Sequence, residues 1–246
     1  MEFDRKIVVT IAGFDPTGGA GILADIKTCE QHKVCGFGVL TANTFQTDTD
    51  VQQVNWIPVS EIKQQVSLLM DRWNIEWFKI GIIENSDVLQ QIVSFIIQKN
   101  PKVKFVWDPV LRSSSGFSFF KSEQDITMLL KDITVLTPNL AEFELLIGSE
   151  EKALKLSQNT IIYLKGGHRE GSALGHDLFY WKGDKYTLQP KRIGTAKHGS
   201  GCVLSSAICS NLALGLSVPQ AFENAKNYIE KFLTSNPSLL GWHLTS

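Results

Sequence analysis

Gly194-Thr195-Ala196-Lys197-His198-Gly199-Ser200-Gly201-Cys202 is the stretch on which the reading of this chain turns. Gly199 and Gly201 bracket Ser200, and small and apolar residues follow Cys202 through Leu204, Ala207, Ile208, Leu212 and Leu214. The pattern predicts a tight glycine turn feeding the N-terminus of a buried helix. The first amides of such a helix have no partner within it, and its dipole is positive there. With no Cβ at Gly199 or Gly201, a ligand can approach the backbone closely. The place suits a phosphate, or the negative charge that grows in phosphoryl transfer. Cys202 lies in the same field, which favours its thiolate. A plain helix-entry turn, with Cys202 a small core residue, fits the stretch equally well.

Upstream, strand-like and helix-like runs alternate. Residues 6–12, 34–45, 77–80, 103–107, 133–136 and 160–164 read as buried strands, and 51–57 as an edge strand. Helices are expected over 20–32, 58–73, 86–97, 139–147, 150–157 and 218–234, with a short one opening at Ser122 or Asp125. Residues 176–181 and 185–188 flank Gly183-Asp184 as a β-hairpin would. This alternation predicts an α/β fold: a mainly parallel central sheet with helices on both faces and a small β-hairpin or edge element. Without repeats or linkers, residues 1–246 read as a single domain. Ligands of such sheets bind beyond the carboxyl ends of the strands. Here those ends carry Asp15 with its glycines, Gln46, Gly81, Asp108-Pro109, Asn139 and Lys165-Gly166-Gly167.

Composition narrows the function classes. The 24 basic residues nearly balance the 25 acidic ones, which gives no electrostatic case for nucleic acid or an anionic membrane. No apolar run reaches membrane-spanning length, and the N-terminus lacks a signal-peptide pattern. The four cysteines, Cys29, Cys35, Cys202 and Cys209, have no metal or redox spacing and suit a reducing cytoplasm.

The motifs each admit a plain reading. Gly19-Ala20-Gly21-Ile22-Leu23-Ala24 fits a dinucleotide fingerprint by letters, but it lies too far past the strand. The next strand also ends in Gln46 rather than an acid. Gly13 and Gly18 have the spacing of a phosphate-binding loop, but Gly19 stands where its lysine belongs. A backbone cradle for a small polar ligand remains, with Asp15 and Asp25 free for hydrogen bonds. Asn139 and Glu142 fit a capping box, or a hydrated Mg²⁺ held through waters. Lys165 could reach phosphate or simply be solvated at a turn. His32, His198 and His243 have no ligand spacing.

Taken together, residues 12–28, Asp108-Pro109-Val110-Leu111, Ser115-Gly116, Leu136-Thr137-Pro138-Asn139-Leu140-Ala141-Glu142, Lys165-Gly166-Gly167-His168 and His198-Gly199-Ser200-Gly201-Cys202 resemble, in order, the motifs of the hydroxymethylpyrimidine/phosphomethylpyrimidine kinases, a thiamine-biosynthesis family with the ribokinase-like fold. The resemblance implies ATP-dependent phosphorylation of 4-amino-5-hydroxymethyl-2-methylpyrimidine, and of its monophosphate, with ATP and Mg²⁺. It implies that Gly13, Asp25, Gln46 and Val110 hold the aminopyrimidine alcohol. Asn139 and Lys165 would serve the nucleotide, and Asp108 and Glu142 the metal through water. Gly199, Ser200 and Gly201 would form the anion hole beside Cys202 as base. A cytoplasmic homodimer is expected, pairing near 51–57. Phe14, Ala196-Lys197, Ser200 and Ser114 depart from the family's usual residues. A pyridoxal kinase, or a weakly catalytic ligand-binding protein of the same fold, are the alternatives.

Overall fold

The computed structural model describes residues 5–112, 116, 118–119, 127–167 and 174–243. Statements about the structure concern these residues. Ser114, Ser115 and His168 lie outside them, as do Ser122 and Asp125, where the short helix was expected to open. Within the described residues this region contains α4, Thr127–Leu130.

In chain order the elements are β1 Ile7–Phe14, α1 Gly21–Gln31, β2 Cys35–Gln46, β3 Val51–Trp56, α2 Val59–Arg72, β4 Trp77–Ile80, α3 Ser86–Lys99, β5 Lys104–Trp107, α4, β6 Val135–Leu136, α5 Leu140–Leu146, α6 Glu150–Leu156, β7 Ile161–Leu164, β8 Asp177–Trp181, β9 Asp184–Leu188, α7 Ser200–Ala213 and α8 Val218–Leu233. The strands form a nine-stranded sheet in the order β3-β2-β1-β4-β5-β6-β7-β8-β9. The six strands β2-β1-β4-β5-β6-β7 are parallel, and β3, β8 and β9 run antiparallel at the edges.

The β-branched run of β1 explains its central place. Val8 packs on one face with Val106, Val203 and Ala207 under α1, α7 and α8; Val9 and Ile11 pack on the other with Ile62, Phe78 and Ile92. Both faces are thus covered, as hydrophobic parallel strands require. Lys182 and Gly183 both take positive φ, 55° and 85°, in the two-residue turn of the β8–β9 hairpin. Order along the sheet reverses at β1, since β2 lies on one side of it and β4 on the other. The crevice opened by such a reversal is where α/β sheets bind ligands. Among the described residues no helix is long and apolar enough to cross a membrane.

Candidate active site

Two glycine loops meet over the crevice. After β1, Asp15 turns inward and is only 1% exposed. Its carboxylate accepts hydrogen bonds from the Thr17 amide (2.9 Å), the Thr17 hydroxyl (2.9 Å), the Ala20 amide (2.8 Å) and His198 Nε2 (2.8 Å). Burial pushes this carboxyl up, but the bonds from His198, Gln46 and Thr17 outweigh it and hold Asp15 well below the usual carboxylate range. Asp15 is therefore spent inside the protein, tying the first glycine loop to the loop before α7. The approach of the loops explains Gly199. It has φ +71°, and a Cβ there would lie 2.0 Å from the Gly19 carbonyl oxygen.

Helix α7 then starts at Ser200 with Gly199 as an N-cap that offers no side chain. The amides of Gly201 and Cys202 have no partner among the described residues, as helix geometry leaves them. The start of α1 faces the same place, since the Gly21 amide lies near enough to Cys202 to favour its thiolate. Two positive helix ends thus converge on one thiol. Even so, the expected thiolate is corrected here. Burial pushes the Cys202 thiol up to about 11. Lys79 and the Gly21 amide pull it down, Asp25 and Asp108 push it further up, and desolvation wins.

The other wall is an acid–lysine cluster. Strand β5 delivers Asp108, β7 delivers Lys165, and α5 delivers Glu142. Lys165 Nζ lies 2.7 Å from Asp108 and 3.7 Å from Glu142, with its side chain 15% exposed. Asp108, fully enclosed, also accepts from Thr137 (3.3 Å) and Ser205 (3.4 Å). Burial opposes the Lys165 charge, yet Asp108 and Glu142 carry its pKa up to about 12. Glu142 lies above its usual range through burial, with Lys165 opposing and Asp108 adding to the rise. Asn139 and Glu142 form the capping box expected of α5, at 2.9 and 2.7 Å. A Cβ on Gly201 would lie 3.4 Å from both Asp108 Oδ2 and Lys165 Nζ, so the α7 backbone rests directly on this cluster.

The structure brings Gly199, Ser200, Gly201, Cys202, Asp108, Glu142, Asn139 and Lys165 to one rim. Gly13 lets the Ile82 side chain lie flush on its backbone, since a Cβ there would come 2.3 Å from Ile82 Cδ1. Val110 follows Asp108 with its amide bonded to the Asp108 carbonyl at 2.8 Å, and Gln46 ends β2 beside Asp15. Asp25 is not on the rim, and its expected contact with substrate is corrected. It is fully enclosed, with Lys79 Nζ at 3.0 and 2.9 Å, Ser206 at 2.7 Å and Thr10 also donating to it. Every acceptor site it offers is taken from within.

Lys79, the contacts of Lys197 and the His198–Asp15 bond escaped the reading of the sequence. Lys79 sits in Trp77-Phe78-Lys79-Ile80, where a lone lysine in a buried strand was the available signal. The other two contacts join residues too distant in sequence for any local pattern.

Residues 15–245 match the family described as phosphomethylpyrimidine kinase. The hydroxymethylpyrimidine/phosphomethylpyrimidine kinase of Aquifex aeolicus (strain VF5) is 32% identical over 248 residues, covering 95% of this chain and 96% of that one. Among solved structures, phosphomethylpyrimidine kinase from Clostridium difficile 630 is 30% identical with a TM-score of 0.77, covering 92% of this chain and 98% of its own. An ADP complex of Bacillus subtilis pyridoxal kinase is 26% identical with a TM-score of 0.78, covering 96% and 94%.

Proposed function

The chain belongs to the phosphomethylpyrimidine kinase family, and from that premise we propose how its residues move a phosphoryl group from ATP to the hydroxymethyl oxygen of 4-amino-5-hydroxymethyl-2-methylpyrimidine, and in a second round to its monophosphate. The observation that carries the proposal is the convergence of the α1 and α7 N-termini on Cys202 against the Lys165–Asp108 pair. The γ-phosphoryl group rests over the free Gly201 and Cys202 amides, with Lys165 beside it. The aminopyrimidine lies between Gly13, Ile82, Val110 and Gln46, its hydroxyl toward Cys202. The alcohol oxygen attacks phosphorus, the bond to the bridging oxygen breaks, and ADP leaves. At neutral pH a thiol near 11 is protonated, so Cys202 first orients the hydroxyl. The alcohol proton departs late, onto an oxygen of the transferred phosphoryl group and from there to solvent, which a loose transition state permits. The ADP complex of the B. subtilis relative supports ATP as donor.

The acid–lysine cluster also fits Mg²⁺ held through water. Asp108, Glu142 and Lys165 bring two carboxyl groups and one ammonium together at the rim. Among the described residues no group of three or more acids, histidines or cysteines could grip a metal directly, which suits an ion that keeps most of its water. When bound, Mg²⁺ would supply charge neutralisation to the phosphates, and Asp108 and Glu142 would hold it through water.

We read the nine-stranded sheet as one kinase domain and its free β3 edge, beside the 49%-exposed Phe45, as a surface for a second copy. The four free thiols suit the cytoplasm.

The test is ADP release with the pyrimidine alcohol and with pyridoxal, in wild type and Cys202→Ala. The pyrimidine should turn over faster. Cys202→Ala should lose about 100-fold or more in kcat while ATP affinity holds within about twofold. Preference for pyridoxal would shift the assignment to the B6 vitamers, and silence with both would favour a ligand-binding protein.

A further inference from the structure

Lys197 stands where the family's usual residue is different, and the structure gives it a task. It is buried at 5% exposure, directly before the anion-hole loop. Among the described residues its ammonium donates only to neutral oxygens: the Asn236 and Ser238 carbonyls and Asn236 Oδ1. These lie just past α8, whose C-cap is Thr234. The negative end of a 16-residue helix is a favourable seat for an otherwise unpaired cation.

The segment so pinned, 235–241, doubles back over both glycine loops. The His198 amide donates to the Leu239 carbonyl at 2.9 Å. The Leu240 side chain lies on Gly19, so that a Cβ there would come 2.6 Å from Leu240 Cδ2. Gly194, which opens the loop, is pressed against the end of α8 at Leu233. The side chain of Asn236 closes the strap on itself, with its amide donating to the Leu240 carbonyl at 3.0 Å. The Gly199 turn is thus gripped from two sides, by Asp15 through His198 and by the strap through Lys197.

We propose that Lys197 is a positioning residue, and that the strap 235–241 it pins holds the Gly199–Cys202 turn in the geometry that phosphoryl transfer needs. Lys197 does not touch the reacting atoms; it acts through Leu239 and Leu240. The kinetic arm rests on the phosphoryl-transfer reading of that turn, and the exchange arm does not. A displacement of about 1 Å in a transfer site can cost on the order of 100-fold in rate, so a loosened strap should register in kcat before it registers in substrate affinity.

The experiment uses the full chain with Lys197→Met and Leu240→Ala. Amide hydrogen exchange of residues 197–203 is measured without ligand, and kcat and KM with ATP and the pyrimidine alcohol. For Lys197→Met we expect exchange at 198–203 to quicken by about tenfold or more, and kcat to fall by about 10–100-fold with both KM values within about threefold. For Leu240→Ala, a partly exposed position that leaves the pin intact, we expect a fall of about three- to tenfold in kcat. Unchanged exchange at 198–203 in Lys197→Met would overturn the proposal. So would an unchanged kcat in Leu240→Ala, which also decides the matter if Lys197→Met does not fold. If wild type is inactive with every alcohol, the phosphoryl-transfer reading fails and the exchange arm still judges the strap.

Discussion

Two of the buried lysine–aspartate bridges of this protein, Lys79–Asp25 and Lys165–Asp108, differ in depth. Lys79–Asp25, 2.9 Å long, has both side chains 0% exposed and every acceptor lobe filled. Lys165–Asp108, 2.7 Å long, leaves the lysine 15% exposed and shares it with Glu142. The chemistry is the same, and the surroundings separate the tasks. The first has no face left for a ligand, so its worth is in holding β4, β1, α1 and α7 together. The second keeps one lysine face and a further carboxyl group at the rim.

Breaking the enclosed bridge should give the largest effect. Lys79→Met leaves Asp25 charged and unpaired in the core, and should cost about 3–5 kcal/mol in denaturant unfolding. The double variant Lys79→Met/Asp25→Leu should recover much of that loss, because no charge is then stranded. A single variant as stable as wild type would erase the distinction between the two bridges.

Breaking the open bridge should show in rate. Lys165→Met should lower kcat/KM by about 100–1000-fold, roughly 3–4 kcal/mol of transition-state stabilisation. A loss confined to unfolding free energy would make Lys165 a second Lys79.

Glu142 sharpens the comparison. Its folded pKa is raised, so the folded state binds more protons than the unfolded one over that interval. Stability from this group therefore falls as pH climbs from the unfolded value through the folded one, and the full penalty is present above the folded value. Glu142→Gln should be at least as stable as wild type at pH 8 while needing more Mg²⁺ for half-maximal rate. Lower stability at pH 8 would place the residue's worth in the cap alone.

The smallest effect belongs to the acid limb. Asp15 is depressed, so its contribution is present above the unfolded pKa and lost as pH falls from there through the folded one. Asp15→Asn should give an unfolding curve less steep in pH below about 4. An unchanged slope would mean that the His198 bond adds nothing in solution.

The rim was legible because its residues sit at strand ends and a helix start, where position and residue type agree. Asp108, Asn139, Lys165 and the Gly199–Cys202 turn all announce themselves in that way. Asp25 did not, since its fate is set by Lys79, 54 residues on, and by Ser206, 181 residues on. Cys202 was half legible. The helix field that favours a thiolate follows from sequence, but the burial that defeats it depends on packing of α1 against α7. Lys197 read as a departure from pattern, and its meaning lay in the strap that it reaches.

The Asp15–His198 bond spans 183 residues. At ribosomal speeds of about 5–20 residues per second, the first glycine loop waits roughly 10–40 s for the partner that fixes it. Until α7 is made, β1 has its strand neighbours but not the Gly199–Cys202 turn. Chains ending before His198 lack the partner that Asp15 takes in the folded protein. The rim is therefore completed near the end of synthesis, when a late segment closes on an early one.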